Sequence, residues 1–319
     1  MIRFCFLHPT ILFFVGCFYF LSAYGEELAI YGTKDSRMEV YSVANPNVLK
    51  MSRAVALVSS LDWVSSPDAS GNRIALRTHN EVPKTSIGKP DRRHFAHQAM
   101  AGNCTSFLID PTHLLTAGHC LGEQQECPSL FFIFDYIVPT KESAQTRFAP
   151  VIHPEQVKTC KQIVKESTAS DHSADYALIE LSEPQYDRPA FSLTHEKGLP
   201  SPGTRVAMLG FPDGKPMKYT DGGAMVLASH NPAQPSIFVD PTQFVTNLDS
   251  FAGNSGSPVF DPITFEVLGI MTDGAADEIV AKDHGIDDAH YPLFPTPKQM
   301  NDPTHLMGER VTGIGFLNL

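Results

Sequence analysis

The chain has no surplus of positive charge. Its 319 residues hold 24 Lys and Arg against 35 Asp and Glu, a net charge of −11. That balance argues against nucleic acid or an anionic membrane surface as a partner, because both are held by clustered Lys and Arg. The sequence contains no internal repeat and no low-complexity run, which sets aside repeat arrays and fibrous assemblies. Beyond residue 25 four cysteines remain, Cys104, Cys120, Cys127 and Cys160, and no two are spaced as a close zinc-ligand pair. EF-hand spacing is also missing. The acidic stretch Ala281–Asp288 offers Asp283, Asp287 and Asp288 but includes Lys282, and reads as a solvated loop. No metal and no cofactor are expected.

What is present begins with an apolar N-terminus. Arg3 is followed by a mostly apolar run over residues 4–22, centred on Ile11-Leu12-Phe13-Phe14-Val15-Gly16, and then by Ala23-Tyr24-Gly25. A positive start, an apolar middle and small residues at the exit describe an export signal cut after Gly25. The run is barely long enough to cross a bilayer, so no stable membrane insertion is expected after cleavage. Cys5 and Cys17 leave with the signal. An even number of cysteines in an exported chain favours disulfides, and four allow three pairings. The expected destination is secreted or periplasmic.

The remainder is long enough for more than one small domain. Residues 62–92 are rich in Ser, Asp, Asn and Pro and read as a loop, after a segment Val48–Val58 that reads as a short helix running into a strand. Cys104–Asp110, His113–Ala117, Leu130–Val138 and Tyr176–Leu181 read as strands, with Pro111-Thr112 as a turn. Four prolines over residues 183–203 mark a connection. Strands then follow at 205–210, 217–219, 225–228, 236–240, 244–247, 257–260 and 267–272, with turn residues between them. Many short strands separated by Gly, Pro and Asp suit all-β barrels. The tail carries no strong pattern until Glu309–Leu317.

Two segments carry chemistry. Thr116-Ala117-Gly118-His119-Cys120 places a histidine after an apolar run, and Gly253-Asn254-Ser255-Gly256-Ser257-Pro258 places a serine among small residues. Between them Asp175 opens the apolar strand Tyr176–Leu181. A serine hydroxyl is a poor nucleophile unless a base stands within hydrogen-bond reach. His119 supplies the base, Asp175 would hold its imidazole, and Ser255 would attack. Asp171 is the rival acid; it sits in a polar loop, whereas Asp175 would be buried at the start of a strand. The tight Gly253-Asn254-Ser255 turn would aim the backbone N–H groups of Gly253 and Ser255 together as an oxyanion hole.

The order His, Asp, Ser and both motifs resemble the trypsin-like serine peptidases, over about residues 100–275. Tyr31–Arg37 is similar to the corresponding stretch of the bacterial-type branch that includes the glutamyl endopeptidases. The resemblance implies two six-stranded antiparallel β-barrels of the chymotrypsin type with the active site between them. The expected organisation is residues 1–25 as signal, 26–92 as a lead-in segment and pro-region, 93–190 as the first barrel, 191–275 as the second and 276–319 as a C-terminal extension. It also implies a Cys104–Cys120 disulfide, leaving Cys127 with Cys160. The implied partners are protein or peptide substrates, acted on by a monomer.

Asn254 stands where the pancreatic-type enzymes have an aspartate that pairs with a new amino terminus. It cannot form that ion pair, and no Ile-Val-Gly-Gly start is present. Asp249 lies six residues before Ser255, an offset that in trypsin-like enzymes puts an acid in the substrate pocket, next to Ser250. The implied cut follows Arg or Lys. Glutamate preference is not expected: Met271 stands where those enzymes carry a histidine and offers no donor to a carboxylate, and Asp273 would repel one.

Overall fold

The computed structural model describes residues 35–78, 95, 97–122, 127–144, 151–168, 174–230, 240–274, 278–279, 291–292 and 308–319. The expected signal, Asp171, nearly all of the strand expected at 236–240 and the acidic stretch 281–288 lie outside these residues.

In chain order the first half supplies β1 (Met38–Glu39), α1 (Pro46–Ser52), β2 (Val55–Ser59), β3 (Cys104–Leu108), β4 (His113–Thr116), β5 (Phe131–Phe134), β6 (Val157–Ser167) and β7 (Tyr176–Leu181). α1 starts where the Asn45 side chain accepts the N–H of Asn47 and Pro46 takes the first helical position, which lacks an intrahelical partner in any case. β6, β7, β4, β3, β2 and β5 close, in that order, into a six-stranded barrel. β2, β3 and β5 are buried along their whole length, because one face fills the barrel and the other is covered. No strand was expected over Val157–Ser167. β6 carries Lys158, Lys161, Lys165 and Glu166, and Cys160 is its one buried residue, so it lacks the apolar signal that marks its neighbours.

The second half supplies β8 (Ala207–Gly210), β9 (Lys218–Thr220), β10 (Val226–Ser229), β11 (Gln243–Thr246), β12 (Pro258–Phe260), β13 (Val267–Asp273) and β14 (Glu309–Gly313). They form one eight-stranded sheet with β1 at its edge. β9 and β10 are two halves of a bent strand. β8 pairs first with β9, Gly210 with Lys218 and Met208 with Thr220. The ladder then continues through an Arg205–Met225 bridge, with Val206 N–H on Ala224 O and Val226 N–H on Thr204 O. The sheet thereby curls back on itself into a second six-stranded antiparallel barrel, β8–β12–β13–β14–β11–β10. The molecule is all-β with the two-barrel, chymotrypsin-like architecture. The second barrel reaches past residue 275 for β14, which is paired on both sides, and the first reaches back before residue 93 for β2.

Phe191, in the proline-marked connection, joins the barrels. Its ring meets Phe107 of the first at 5.7 Å and Phe260 of the second at 5.6 Å. Aromatic pairs at these separations add to what burial alone contributes. Cys104 is bonded to Cys120, and Cys127 to Cys160. Among the described residues no helix is long and apolar enough to cross a membrane.

Candidate active site

β4 ends at Thr116, and Ala117 carries the chain in extended geometry into a single turn of 3-10 helix, Gly118–Leu121. That turn presents His119, whose side chain is 41% exposed. A glycine is required before it: a Cβ on Gly118 would lie 2.0 Å from Ser167 O and 2.9 Å from Asp175 Oδ1. The backbone is thus pressed directly onto the acid at the start of β7.

Asp175 is 4% exposed, and both of its oxygens serve His119. Oδ1 accepts the His119 backbone N–H at 3.1 Å, and Oδ2 stands 2.7 Å from His119 Nδ1. A carboxylate at Nδ1 fixes the proton there and leaves Nε2 as an acceptor.

Ser255 reaches the same seam from the second barrel. Its carbonyl accepts the N–H of Thr105 at 2.7 Å. Cys120 Sγ, next to His119, lies 3.6 Å from Ser255 O and 4.0 Å from His119 Nε2. The structure therefore brings His119 and Asp175 into contact and sets Ser255 beside them. Ser255 Oγ makes no hydrogen bond to the imidazole in this conformation; such bonds are often long before substrate arrives.

The serine loop leaves two amides spare. Asn254 N–H bonds Phe251 O, Gly256 N–H bonds Met271 O, and Ser257 N–H bonds Asn254 O. Among the described residues, the N–H groups of Gly253 and Ser255 have no protein acceptor. Gly253 has φ +90°, and a Cβ there would strike Phe211 O at 2.5 Å and Gly214 N at 2.8 Å. Only glycine holds that position without strain.

The residues expected to line a pocket are dispersed. Asp249 is 2% exposed and its Oδ2 accepts both the N–H and the Oγ of Ser36. Ser250 is buried against Asn254 Nδ2 at 3.4 Å. Met271 is packed in the apolar core of the second barrel with Val206, Phe244 and Val311. Asp273 is exposed and paired with Arg310 at 2.5 Å. Cys104, His119 and Cys120 cluster closely enough to suggest a metal, but both cysteines are spent in their disulfide and offer no thiolate.

Thr105 joins the two sides of the site, a role no sequence pattern marks. Its Oγ1 donates to Gly253 O at 2.8 Å and accepts Phe211 N–H at 3.1 Å, while its N–H holds Ser255 O. Nothing local separates it from the neighbouring Ser106, which bonds Ala56 O within the first barrel. Ser36 and Arg37 lie in the stretch that resembles the bacterial-type branch, but no role at the site was expected of them.

The fold is of the two-barrel type, and a family model covers both halves of the site. Residues 104–270 match the family model described as the trypsin-like peptidase domain, and the chain belongs to that family. Among solved structures it is similar to Rv3671c from M. tuberculosis H37Rv, an inactive serine-to-alanine mutant form (16% identity, 91% of this chain and 92% of that one, TM-score 0.44). It is also similar to the VesB protease of Vibrio cholerae (15%, 83% and 61%, 0.45) and to a Glu endopeptidase in complex with MPD (17%, 77% and 88%, 0.44). No curated protein sequence matches it.

Proposed function

We propose that the protein is a serine endopeptidase that hydrolyses peptide bonds through an acyl-enzyme. The observation that carries this reading is the 2.7 Å contact between His119 Nδ1 and the buried Asp175, set at the seam where the Gly253–Ser255 turn arrives. Ser255 Oγ attacks the peptide carbonyl carbon while His119 Nε2 takes the hydroxyl proton. Asp175 stabilises the imidazolium that forms. The carbonyl oxygen, now negative, receives the N–H groups of Gly253 and Ser255. His119 returns the proton to the leaving amine and the C–N bond breaks. Water then attacks the acyl carbon, gives a proton to His119, and Ser255 Oγ departs with that proton. The triad supplies every proton transfer itself.

Family membership makes peptides the substrate class. The two disulfides fit an oxidising compartment and support the expectation of a secreted or periplasmic protein.

The test is cleavage of a mixed peptide library by the mature protein beside a Ser255→Ala control. Cuts that vanish in the control support the triad, and their sequence context reads the preferred side chain, including the expected Arg or Lys. Cuts that persist in the control, or none at all from folded, disulfide-bonded protein, sink the reading.

One observation favours a second reading, a catalytically silent binding module: the missing Ser255–His119 hydrogen bond. Labelling with a phosphonofluoridate separates the two. Covalent modification of Ser255 removes the silent module, and inertness of the folded protein removes the peptidase.

A further inference from the structure

The segment ahead of the first barrel is fastened to the serine loop of the second. Ser36 stands 213 positions before Asp249, yet its N–H and its Oγ both donate to Asp249 Oδ2, at 2.7 and 2.5 Å. Arg37 follows, 4% exposed. Its guanidinium sits 3.7 Å from the centre of the Phe251 ring and is held by Asp35 through Nε and Nη2 at 2.9 and 2.8 Å. Met38 and Glu39 then pair with Tyr219 and Lys218, adding β1 to the edge of the barrel. Asp249 and Phe251 belong to the run that leads into Gly253 and Ser255. Thr105 pins the far end of that run from the first barrel, at the carbonyls of Gly253 and Ser255.

Asp249 is therefore oriented toward the lead-in segment. A buried carboxylate that takes two donors on one oxygen from its own chain is committed to that contact, because leaving it unpaired inside the protein is costly. Arg37 over Phe251 adds a cation–π contact in a site removed from water, where such contacts are strongest. Asn254 is a neutral amide and cannot form an ion pair with an amino terminus, whereas Asp249 and Phe251 of the same loop are both held by the lead-in segment.

We propose that Ser36 and Arg37 are positioning residues of the catalytic apparatus. They clamp Asp249 and Phe251, and the clamp holds the serine loop in the shape that presents the N–H groups of Gly253 and Ser255. Asp249 is the anchor of that clamp and not the partner of a substrate cation. This assignment rests on the peptidase reading and deepens it: the side chain before the cut bond is chosen without Asp249.

The test uses the full chain with Ser36→Ala, Asp249→Asn and Ser36→Thr, read by two measurements: amide hydrogen exchange over residues 249–257 and steady-state cleavage of the peptide library. Ser36→Ala and Asp249→Asn are expected to speed exchange in the loop and to lower kcat by about 10- to 100-fold, the scale set by small displacements of catalytic groups. KM and the preferred residue before the cut stay as they are. Ser36→Thr keeps the hydroxyl donor and restores most of the rate. Unchanged exchange in Ser36→Ala overturns the proposal, as does a selective loss of cleavage after Arg or Lys in Asp249→Asn. If the wild-type protein cuts nothing, exchange still decides: a loop that loosens in Ser36→Ala keeps the clamp and removes only the peptidase reading.

Discussion

Thr105 donates its backbone N–H to the carbonyl of Ser255 at 2.7 Å, so the first barrel holds the serine turn of the second directly. The same residue gives its hydroxyl to Gly253 and receives the N–H of Phe211. One threonine next to the Cys104–Cys120 disulfide thereby ties the histidine side of the site to the serine side.

Thr105→Val tests that joint. Valine keeps the branched shape and the backbone bond to Ser255, and removes only the hydroxyl. Gly253 O and Phe211 N–H lose their partner inside the protein, at about 1–3 kcal/mol for each unsatisfied group. Urea unfolding should show that loss. Kinetics should show kcat falling at least roughly 10-fold as the oxyanion turn relaxes. A variant with wild-type rate would show that the joint is not required for catalysis.

Asp175→Asn should leave the fold intact and cost about 10⁴-fold in kcat, the effect expected when the imidazole is held in the wrong tautomer. Both carboxylate oxygens now accept from His119, and an amide must turn a donor toward one of those two N–H groups. Peptide hydrolysis and thermal unfolding, measured side by side, check it. A loss under about tenfold would show that Asp175 is not the triad acid.

The two disulfides should separate stability from activity. Cys160 pairs with Leu181 at the end of β7 opposite to Asp175, while Cys120 adjoins His119. Replacing Cys127 and Cys160 by Ala is expected to lower unfolding free energy by about 3 kcal/mol through release of the cross-linked loop, with kcat nearly unchanged. Replacing Cys104 and Cys120 should lower both. Denaturation curves and kcat for the two double variants distinguish these outcomes.

Lys218, paired with Glu39 of β1, should make folding stability depend on pH. It is 1% exposed, and burial pulls its pKa down from 10.5 to about 7 although Glu39 pushes it back up. Its Nζ meets Pro216 O, Gln98 Oε1 and Glu39 Oε2 at 2.5, 2.8 and 3.2 Å. Between pH 7 and 10.5 the unfolded chain holds a proton that the folded one gives up, so folding stability rises with pH across that window. Below pH 7 the charged lysine weighs against the fold in full. Thermal midpoints at pH 7 and pH 10 should therefore rise more in the wild type than in a Glu39→Gln, Lys218→Met double variant, which has neither charge. Equal slopes would show that Lys218 keeps its proton throughout.

The histidine turn, the serine turn and the acid at the head of β7 were legible because each is set by its immediate neighbours. Gly118 and Gly253 are needed where a side chain would strike backbone or acid, and that demand leaves a mark in a few consecutive letters. Strands β3, β4, β5 and β7 were legible because each is an apolar run long enough to be a strand. β6 was not, since Cys160 is the only residue it buries.

Other assignments depended on distance along the chain. The offset of Asp249 from Ser255 suggested a substrate pocket, but its side chain is met by Ser36 from the far end of the sequence. Met271 alternates on β13 into the barrel core. Thr105 is an unremarkable strand residue until Gly253, 148 positions away, arrives at its hydroxyl. The candidate groups, their order along the chain and the two turns that present them could be read from the sequence, since those follow from local backbone geometry. Which buried polar groups satisfy one another was settled by the tertiary structure alone, because barrel closure brings together partners such as Thr105 and Gly253 that lie far apart along the chain.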